Sequence, residues 1–288
     1  MKIPEYWSKA TAEETGPDGK QVRFSCWRSS DHSQGKAHES ALAAARRVLQ
    51  RFLGGDRLDR YAYGDVPLRE EAVEKFVDSQ GELVAAVTRN AYGSLVLCTD
   101  QVMFMDLDFP PASLGESVRY FFAKMFNKTA LSPDARRESE VTQRLEQFLT
   151  DDHRWSLRLY RTYAGMRALV THDLFSPDSE STLALLRSAG SDPLYVKLCK
   201  IQKCFRARLT PKPWRCGHTA NSIRWPMENE DQRVRFEQWQ SDYTAKQSGY
   251  ATCRFMGTVG NDHVHPEVAR IIEVHDYVTR CEEPLELA

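Results

Sequence analysis

Two aspartates, Asp106 and Asp108, end an apolar run and are the first candidates for chemistry. They lie in the segment Val102–Pro110, which reads V-M-F-M-D-L-D-F-P. In a β-strand, residues two apart point to the same face at a spacing of about 7 Å, so both carboxylates are expected to converge on one point. Paired carboxylates of this kind bind Mg²⁺ or Mn²⁺ for phosphoryl transfer. The alternative is a strand end whose acids meet solvent or neighbouring arginines.

Three arginines surround a predicted hairpin at Leu157–Asp173. They are Arg158, Arg161 and Arg167, and Arg167 opens the second strand of the hairpin. Guanidinium groups bind phosphate or carboxylate with two parallel hydrogen bonds. We therefore expect Arg161 to contact the substrate and Arg167 to offset negative charge on a transferred phosphoryl group. The alternative is that these arginines form structural salt bridges with the two aspartates.

A third candidate is a basic stretch without acids, from Pro193 to Met227. The whole chain has a net charge of −1, so this stretch is a local excess of positive charge. Single-stranded nucleic acid is bound by positive charge for the backbone and aromatic rings for the bases. The predicted substrate-binding residues are Lys200, Lys203, Arg206, Arg208, Lys212, Trp214 and Arg215. The alternative is a solvated helix face that complements acids elsewhere in the protein.

The elements that must position these residues follow from hydrophobic periodicity and turn residues. The pattern predicts strands at 21–27, 83–88, 94–99, 101–109, 156–162 and 166–171. It predicts helices at 38–53, 68–77, 133–149, 179–189, 195–205, 232–246 and 266–278, and a mixed segment at 114–126. Tight turns join most of the strands, which is typical of antiparallel pairing. The sequence thus predicts an α+β protein with a central, mainly antiparallel sheet of about five strands flanked by helices.

The organisation expected from the sequence is one α+β domain over residues 1–288. Within it, residues 1–35 are predicted to be a polar N-terminal extension, and residues 193–288 a basic and then helical C-terminal subregion. The strands between 83 and 109 are expected to be neighbours in one meander. The last residues, 282–288, look like a loose acidic tail.

Composition excludes several classes of protein. No segment approaches 18 consecutive apolar residues, so the sequence predicts no membrane partner and a cytoplasmic location by default. Seven cysteines without a closely spaced framework favour a reducing compartment. Buried free thiols are the favoured interpretation over a zinc site, because the spacing among Cys199, Cys204, Cys216 and His218 is not a standard one.

Two of these motifs together resemble the archaeo-eukaryotic primase and primase-polymerase superfamily, over roughly residues 83–175. M-F-M-D-L-D is similar to the family's first motif, which implies a role in metal binding for Asp106 and Asp108. T-Y-A-G-M-R, Thr162–Arg167, is similar to the second motif, although Arg167 stands where the family has a histidine that contacts nucleotide phosphates. For the family's later acidic residue, Asp173 is the nearest candidate.

The functional hypothesis is a protein that binds a nucleotide or single-stranded nucleic acid, with metal-dependent, primase-like nucleotidyl transfer as its candidate activity. Asp106, Asp108 and Arg167 would be the catalytic residues, and Asp173 would complete the set of ligands for Mg²⁺ or Mn²⁺. Two alternatives stay open: a non-catalytic interaction protein that uses the basic stretch at 193–227, and a metal-dependent phosphoesterase that uses the same aspartates.

Overall fold

A computed structural model describes residues 1–16, 19–56, 69–109, 132–150 and 154–288. Contacts divide the chain into two units, Lys2–Arg69 and Glu70–Ala288, with Met1 grouped with the second. The described residues contain six α-helices and twelve strands, and the larger sheets are antiparallel. The α+β class is therefore confirmed. The division into two units differs from the one domain expected over 1–288.

The first unit is a strand hairpin covered by a helix. Strands β1 (Tyr6–Thr15) and β2 (Gln21–Ser30) pair antiparallel along their whole length. Helix α1 (Gln34–Leu53) begins at Ser33, whose hydroxyl accepts a hydrogen bond from the Lys36 amide at 3.2 Å. The helix buries a stripe of alanines, which lets it lie close to the strands. Residues 1–35, expected to be an extension, thus supply both strands of this unit.

The second unit contains two four-stranded antiparallel sheets. Sheet I has the strand order β3-β4-β5-β9, formed by Glu71–Val77, Leu83–Arg89, Leu95–Thr99 and Phe205–Arg208. Sheet II has the order β11-β7-β8-β6, formed by Cys253–Gly260, Ser156–Thr162, Gly165–Val170 and Phe104–Asp108. A short parallel pair joins β10 (Tyr250–Ala251) to β12 (Glu286–Leu287).

Five helices lie in the described part of the second unit. They are α2 (Pro133–Thr150), α3 (Glu180–Ser188), α4 (Pro193–Gln202), α5 (Glu230–Gln247) and α6 (Pro266–Thr279). A short 3₁₀ helix covers Pro213–Arg215. None of the helices in the described part of the chain has both the length and the apolar character needed to cross a bilayer.

One hydrophobic core serves both sheets of the second unit. It combines Leu97 of β5, Phe104 of β6 and Tyr160 of β7 with side chains from the helices. Tyr195 of α4 links the sheets directly, since its hydroxyl donates to the Phe104 carbonyl at 3.0 Å and accepts from the Arg206 amide at 3.4 Å. The cleft between the carboxyl end of β6 and strand β9 is therefore fixed by buried contacts.

Several predictions about elements are wrong. The helix at 68–77 is in its described part strand β3, because a run containing Val73, Phe76 and Val77 fits a half-buried pleated surface and pairs with β4. The 83–109 strands are not one meander: β4 and β5 pair, whereas β6 pairs with β8 in sheet II. Instead of one sheet of about five strands there are two of four.

Other differences are smaller. The helix at 195–205 ends at Gln202, and Phe205 already belongs to β9. The 282–288 tail is not loose, because β12 pairs there and Ala288 is buried. The mixed segment at 114–126 lies outside the described residues. The remaining helices and the β7–β8 hairpin are confirmed.

The close approach of β8 to β6 makes a testable prediction at Gly165. A Cβ added there would lie 2.4 Å from the Leu107 carbonyl oxygen, so the two strands would have to separate beside Asp108. We expect Gly165→Ala to lower the free energy of unfolding by about 2 kcal/mol in urea denaturation. Gly249→Ala is the matched control, since nothing lies within 4 Å of its added Cβ. Equal stability of the two variants would contradict the packing described.

Candidate functional site

Asp106 and Asp108 both line a cavity of about 440 Å³ that opens between β6 and β9. Their strand alternates as predicted: Met105 and Leu107 are buried in the core on the opposite face. Asp106 is half-buried and Asp108 is exposed. The same cavity is lined by five cationic side chains, those of Arg167, Arg206, Arg208, Lys212 and Arg215.

The strand register places Asp106 opposite Arg167 and Asp108 opposite Gly165. Opposite charges on facing strand positions attract each other. Even so, within the described residues neither aspartate has a cationic nitrogen within 4.0 Å, and the sealed salt bridge proposed as an alternative is not formed. Arg167 instead donates from Nη1 to the Arg208 carbonyl at 3.1 Å and contacts His275 at 3.0 Å.

The environment disfavours the ionised form of both acids. Burial raises the pKa of Asp106; Arg167 opposes this effect, and Asp108 adds to it by repulsion. Burial also raises the pKa of Asp108, with repulsion from Asp192 next and with Lys212 and Arg208 acting in the opposite direction. Removing a carboxylate from water costs free energy that distant cations only partly return. A cation bound between the two aspartates would remove this penalty.

A third carboxylate, Asp192, lies beside this pair. Its backbone amide donates to the Asp106 carbonyl at 2.8 Å, and its Oδ1 caps helix α4 by accepting from the Tyr195 amide at 2.8 Å. Sequence reasoning missed it, because an aspartate before Pro193 is sufficiently explained as a helix N-cap. The sequence indicates only a helix N-cap at this position. A cap shows where helix α4 begins but not which strand end it faces.

Asp173, the predicted third metal ligand, lies far from the pair. Strands β6 and β8 are antiparallel, so Asp108 pairs with Gly165 at the start of β8, whereas Asp173 follows the end of β8. With a rise of about 3.3 Å per residue, the length of β8 alone separates them. Asp173 is exposed and its Oδ1 accepts from the Leu174 amide at 2.8 Å. The prediction of Asp173 as a ligand is wrong.

Arg161, predicted to bind substrate, has a structural role instead. Its Nε lies 3.2 Å from a Glu138 carboxylate oxygen, and its Nη1 donates to the carbonyls of Thr162 and Gly165. Its guanidinium also lies 4.5 Å above the ring of Phe109. These contacts tie the β7–β8 turn to helix α2, and Arg161 does not line the cavity with the two aspartates.

The basic stretch divides into two groups. Lys200 pairs with Glu180 and Lys203 with Asp178 at 3.0 Å, both on the surface, so these two lysines are not at the cavity. In contrast, Arg206 and Arg208 of β9 point to the cavity together with Lys212 and Arg215. The acid-free stretch therefore does not form a single surface.

Arg206 lines the cavity but already forms an ion pair with a carboxylate of the protein. Its Nη2 donates to both carboxylate oxygens of Glu70, at 2.9 and 2.7 Å, and Thr88 donates to the same carboxylate at 2.6 Å. A buried carboxylate bonded in this way neutralises Arg206. Arg206 thus forms part of the cavity wall, and the cations that have no carboxylate partner among the described residues are Arg167, Arg208, Lys212 and Arg215.

The segment that carries Lys212 and Arg215 is held by buried hydroxyl groups. Ser94 and Tyr243 both donate to the Pro211 carbonyl, at 2.7 and 2.5 Å, and the Leu95 amide donates to the Thr210 hydroxyl at 2.9 Å. The 3₁₀ helix then begins at Pro213, whose fixed φ suits a first helical position. Lys212 and Arg215 therefore project from a rigid support.

The cavity disfavours the charged form of its cations, as it does that of its acids. Burial lowers the pKa of Lys212, and repulsion from Arg208 and Arg215 lowers it further. The pKa of Arg215 is lowered by burial and then by Arg208. The Nε atom of Arg208 is buried without a hydrogen-bond partner among the described residues. Buried donors without partners cost free energy, so an anion bound here would be favoured.

Two exposed aromatic side chains contact residues that line the cavity. Trp214 and Tyr163 are 52% and 54% exposed, which is unusual for large rings. Trp214 meets the Tyr92 ring edge-on at 5.2 Å, and the Arg215 guanidinium lies 4.0 Å above the Tyr163 ring. Of these rings, sequence reasoning had selected Trp214 only.

The raised pKa of Asp106 predicts a stability change on neutralisation. A carboxyl whose pKa is higher in the folded state destabilises the fold when ionised, and this penalty is lost as pH falls through the raised pKa towards 3.8. Asp106→Asn should therefore raise the free energy of unfolding at pH 7 by about 1 kcal/mol, and the gain should shrink as pH falls. Denaturation series at several pH values measure it.

Asp173→Asn is the matched control for this substitution. Asp173 is exposed, and an asparagine oxygen can still accept from the Leu174 amide. We expect its effect on stability to stay within about 0.5 kcal/mol at every pH. A destabilised Asp106→Asn variant at neutral pH would show that the carboxylate is held by favourable contacts in the protein.

Comparisons with protein-family models, curated proteins and solved structures give no match for this chain. The chemistry of the cavity therefore rests on its own geometry. Among the described residues, two acids and four cations share the cavity without forming ion pairs, with a third acid and exposed aromatic rings nearby.

Proposed function

We propose that this protein binds a nucleoside triphosphate together with a divalent cation and catalyses metal-dependent nucleotidyl transfer. One observation carries the proposal: carboxylates and cations share one cavity without forming ion pairs among the described residues. A cavity for a simple anion would not need the aspartates, and one for a metal alone would not need the cations. A metal–triphosphate complex satisfies both sets of charges.

The donor set at Asp106 and Asp108 fits Mg²⁺ or Mn²⁺. These ions prefer oxygen ligands, and Mg²⁺ is usually bound by one or two carboxylates, with water and substrate phosphates completing the octahedron. No group of three or more His, Cys, Asp or Glu side chains in the described ranges is arranged to hold a metal. Two carboxylates therefore suffice only if phosphate supplies further ligands. When bound, the ion would offset negative charge on the attacking and leaving oxygens.

The residues of this chain would divide the remaining tasks. Arg208, Lys212 and Arg215 would bind the phosphates, since the unpartnered Arg208 Nε needs an acceptor. Arg167, opposite Asp106, would bind the phosphoryl group that is transferred and stabilise the charge that develops on it. Trp214 and Tyr163 would offer exposed faces on which a base can stack, which allows the base of a nucleotide or of a single strand.

The first experiment measures melting temperature with ATP and Mg²⁺ or Mn²⁺. A ligand that binds only the native state stabilises it by about 2.7 kcal/mol at 100 times its Kd, so the wild type should melt several degrees higher. Asp106→Asn/Asp108→Asn should abolish the metal-dependent part of this shift. A wild type that melts at the same temperature with and without metal and nucleotide would reject the proposal.

The basic stretch provides matched charge variants. Lys212→Gln/Arg215→Gln should weaken ATP binding at least tenfold, because each lost charge-assisted hydrogen bond costs about 1.5–3 kcal/mol. Lys200→Gln/Lys203→Gln removes the same net charge from the surface pairs and should leave the Kd of ATP within twofold. Equal losses in both variants would show that the effect is one of overall charge.

The released product distinguishes the proposed reaction from phosphoester hydrolysis. Nucleotidyl transfer to an oligonucleotide releases pyrophosphate and lengthens the strand. A phosphoesterase releases inorganic phosphate and leaves the strand length unchanged. We expect pyrophosphate and elongation with Mn²⁺ or Mg²⁺, both absent in Asp106→Asn. Release of inorganic phosphate alone would assign the aspartates to hydrolysis.

A further inference from the structure

We propose that His275 is a positioning residue that holds Arg167 in the orientation it needs beside Asp106. This inference rests on the proposed function for its ligand, but the contact that carries it is internal to the protein. His275 lies on α6 and is fully buried. Its Nε2 is 3.0 Å from Nη1 of Arg167, and its Nδ1 is 2.8 Å from Oδ1 of Asp276.

The hydrogen bonds determine the tautomer of His275. A guanidinium nitrogen can only donate, so Nε2 of His275 must accept from Arg167. The proton of a neutral imidazole then lies on Nδ1 and is donated to Asp276. Burial lowers the pKa of His275 to about 4, which agrees with a neutral ring. A doubly protonated ring would have no lone pair for Arg167.

Asp276 anchors the other end of this chain. Its Oδ1 also accepts from the Tyr160 hydroxyl at 2.7 Å, and its Oδ2 accepts from Nη2 of Arg158 at 2.6 Å. The network therefore contains two guanidinium groups and one carboxylate, and its surplus positive charge lies with Arg167 at the cavity wall. Arg158 compensates Asp276 on the far side, which leaves Arg167 available to an anion.

Packing fixes the imidazole ring from both sides. The Tyr160 ring meets it edge-on at 4.6 Å, and the Phe104 ring lies tilted at 5.5 Å. Among the described residues, the other hydrogen-bond partner of the Arg167 guanidinium is the Arg208 carbonyl, also on Nη1. His275 and strand β9 thus both accept a hydrogen bond from Nη1 of Arg167 and fix its position. A side chain held in this way loses less conformational entropy when a ligand binds.

The test compares Kd for ATP with Mg²⁺ in three variants and in a double-mutant cycle. His275→Phe keeps a buried ring but removes the acceptor, and it should weaken ATP binding about tenfold. His275→Gln should recover affinity to within threefold, because its Oε1 can accept from Arg167 and its Nε2 can donate to Asp276. Thr279→Val is the stability control, since it removes a buried bond to the His275 carbonyl but not the contact with Arg167.

The cycle with Arg167→Met identifies the route of the effect. If His275 acts through Arg167, His275→Phe should change Kd by less than twofold once Arg167 is methionine. An effect that persists in that background, or an equal loss in Thr279→Val, would overturn the inference.

One measurement tests this inference separately from the proposed function. It uses the wild type alone, so it does not depend on whether any variant folds. Nitrogen-15 NMR should show His275 as the Nδ1–H tautomer from pH 5.5 to 8, with slowly rotating Nη protons on Arg167. An Nε2–H tautomer, or a ring that titrates in this range, would overturn the role of His275 whether or not ATP binds. Absence of ATP binding with the expected tautomer would reject the proposed function only.

Discussion

The register of β6 on β8 is the constraint on which the site depends. It places Asp106 opposite Arg167 and Asp108 opposite Gly165, where only the absence of a side chain lets the strands approach. A shift by one residue would turn both carboxylates into the core and expose Met105 and Leu107. Because the other face of β6 is fully buried, the apolar packing that stabilises the sheet also fixes where the acids point.

The cavity is costly for the fold because charges of both signs are partly desolvated there without pairing. The pKa values of Asp106 and Asp108 are raised, and those of Lys212 and Arg215 are lowered. The cavity therefore disfavours the charged form of each of these side chains. One cation of the cavity wall does not carry this cost, since Arg206 is neutralised by an ion pair with Glu70. Stability is commonly lost where a site must remain ready for a ligand.

Residue periodicity predicted the features of the structure that depend on neighbouring residues in the sequence. The face shared by Asp106 and Asp108, the β7–β8 hairpin and most helices follow from residue spacing and turn chemistry. Sequence could not predict which strands pair across the chain, and for that reason it assigned β6 to the wrong neighbours and Asp173 to the wrong end of the sheet. Nor does a run of basic residues say which members meet an acid: Lys200 and Lys203 do, Lys212 and Arg215 do not.

The nature of Arg167 decides how the cavity responds to pH. A guanidinium stays charged throughout the range in which proteins are folded, and the imidazole behind it is held neutral by burial and by its bond to Asp276. Asp276 stays ionised, because the bonds from His275 and Tyr160 outweigh its burial and lower its pKa. The charge presented by this network is therefore constant between about pH 5 and neutrality. The raised pKa values of Asp106 and Asp108 bring the titration of these carboxyls closer to that range. Binding of the proposed cation would therefore release protons from the two aspartates, and its affinity should rise with pH.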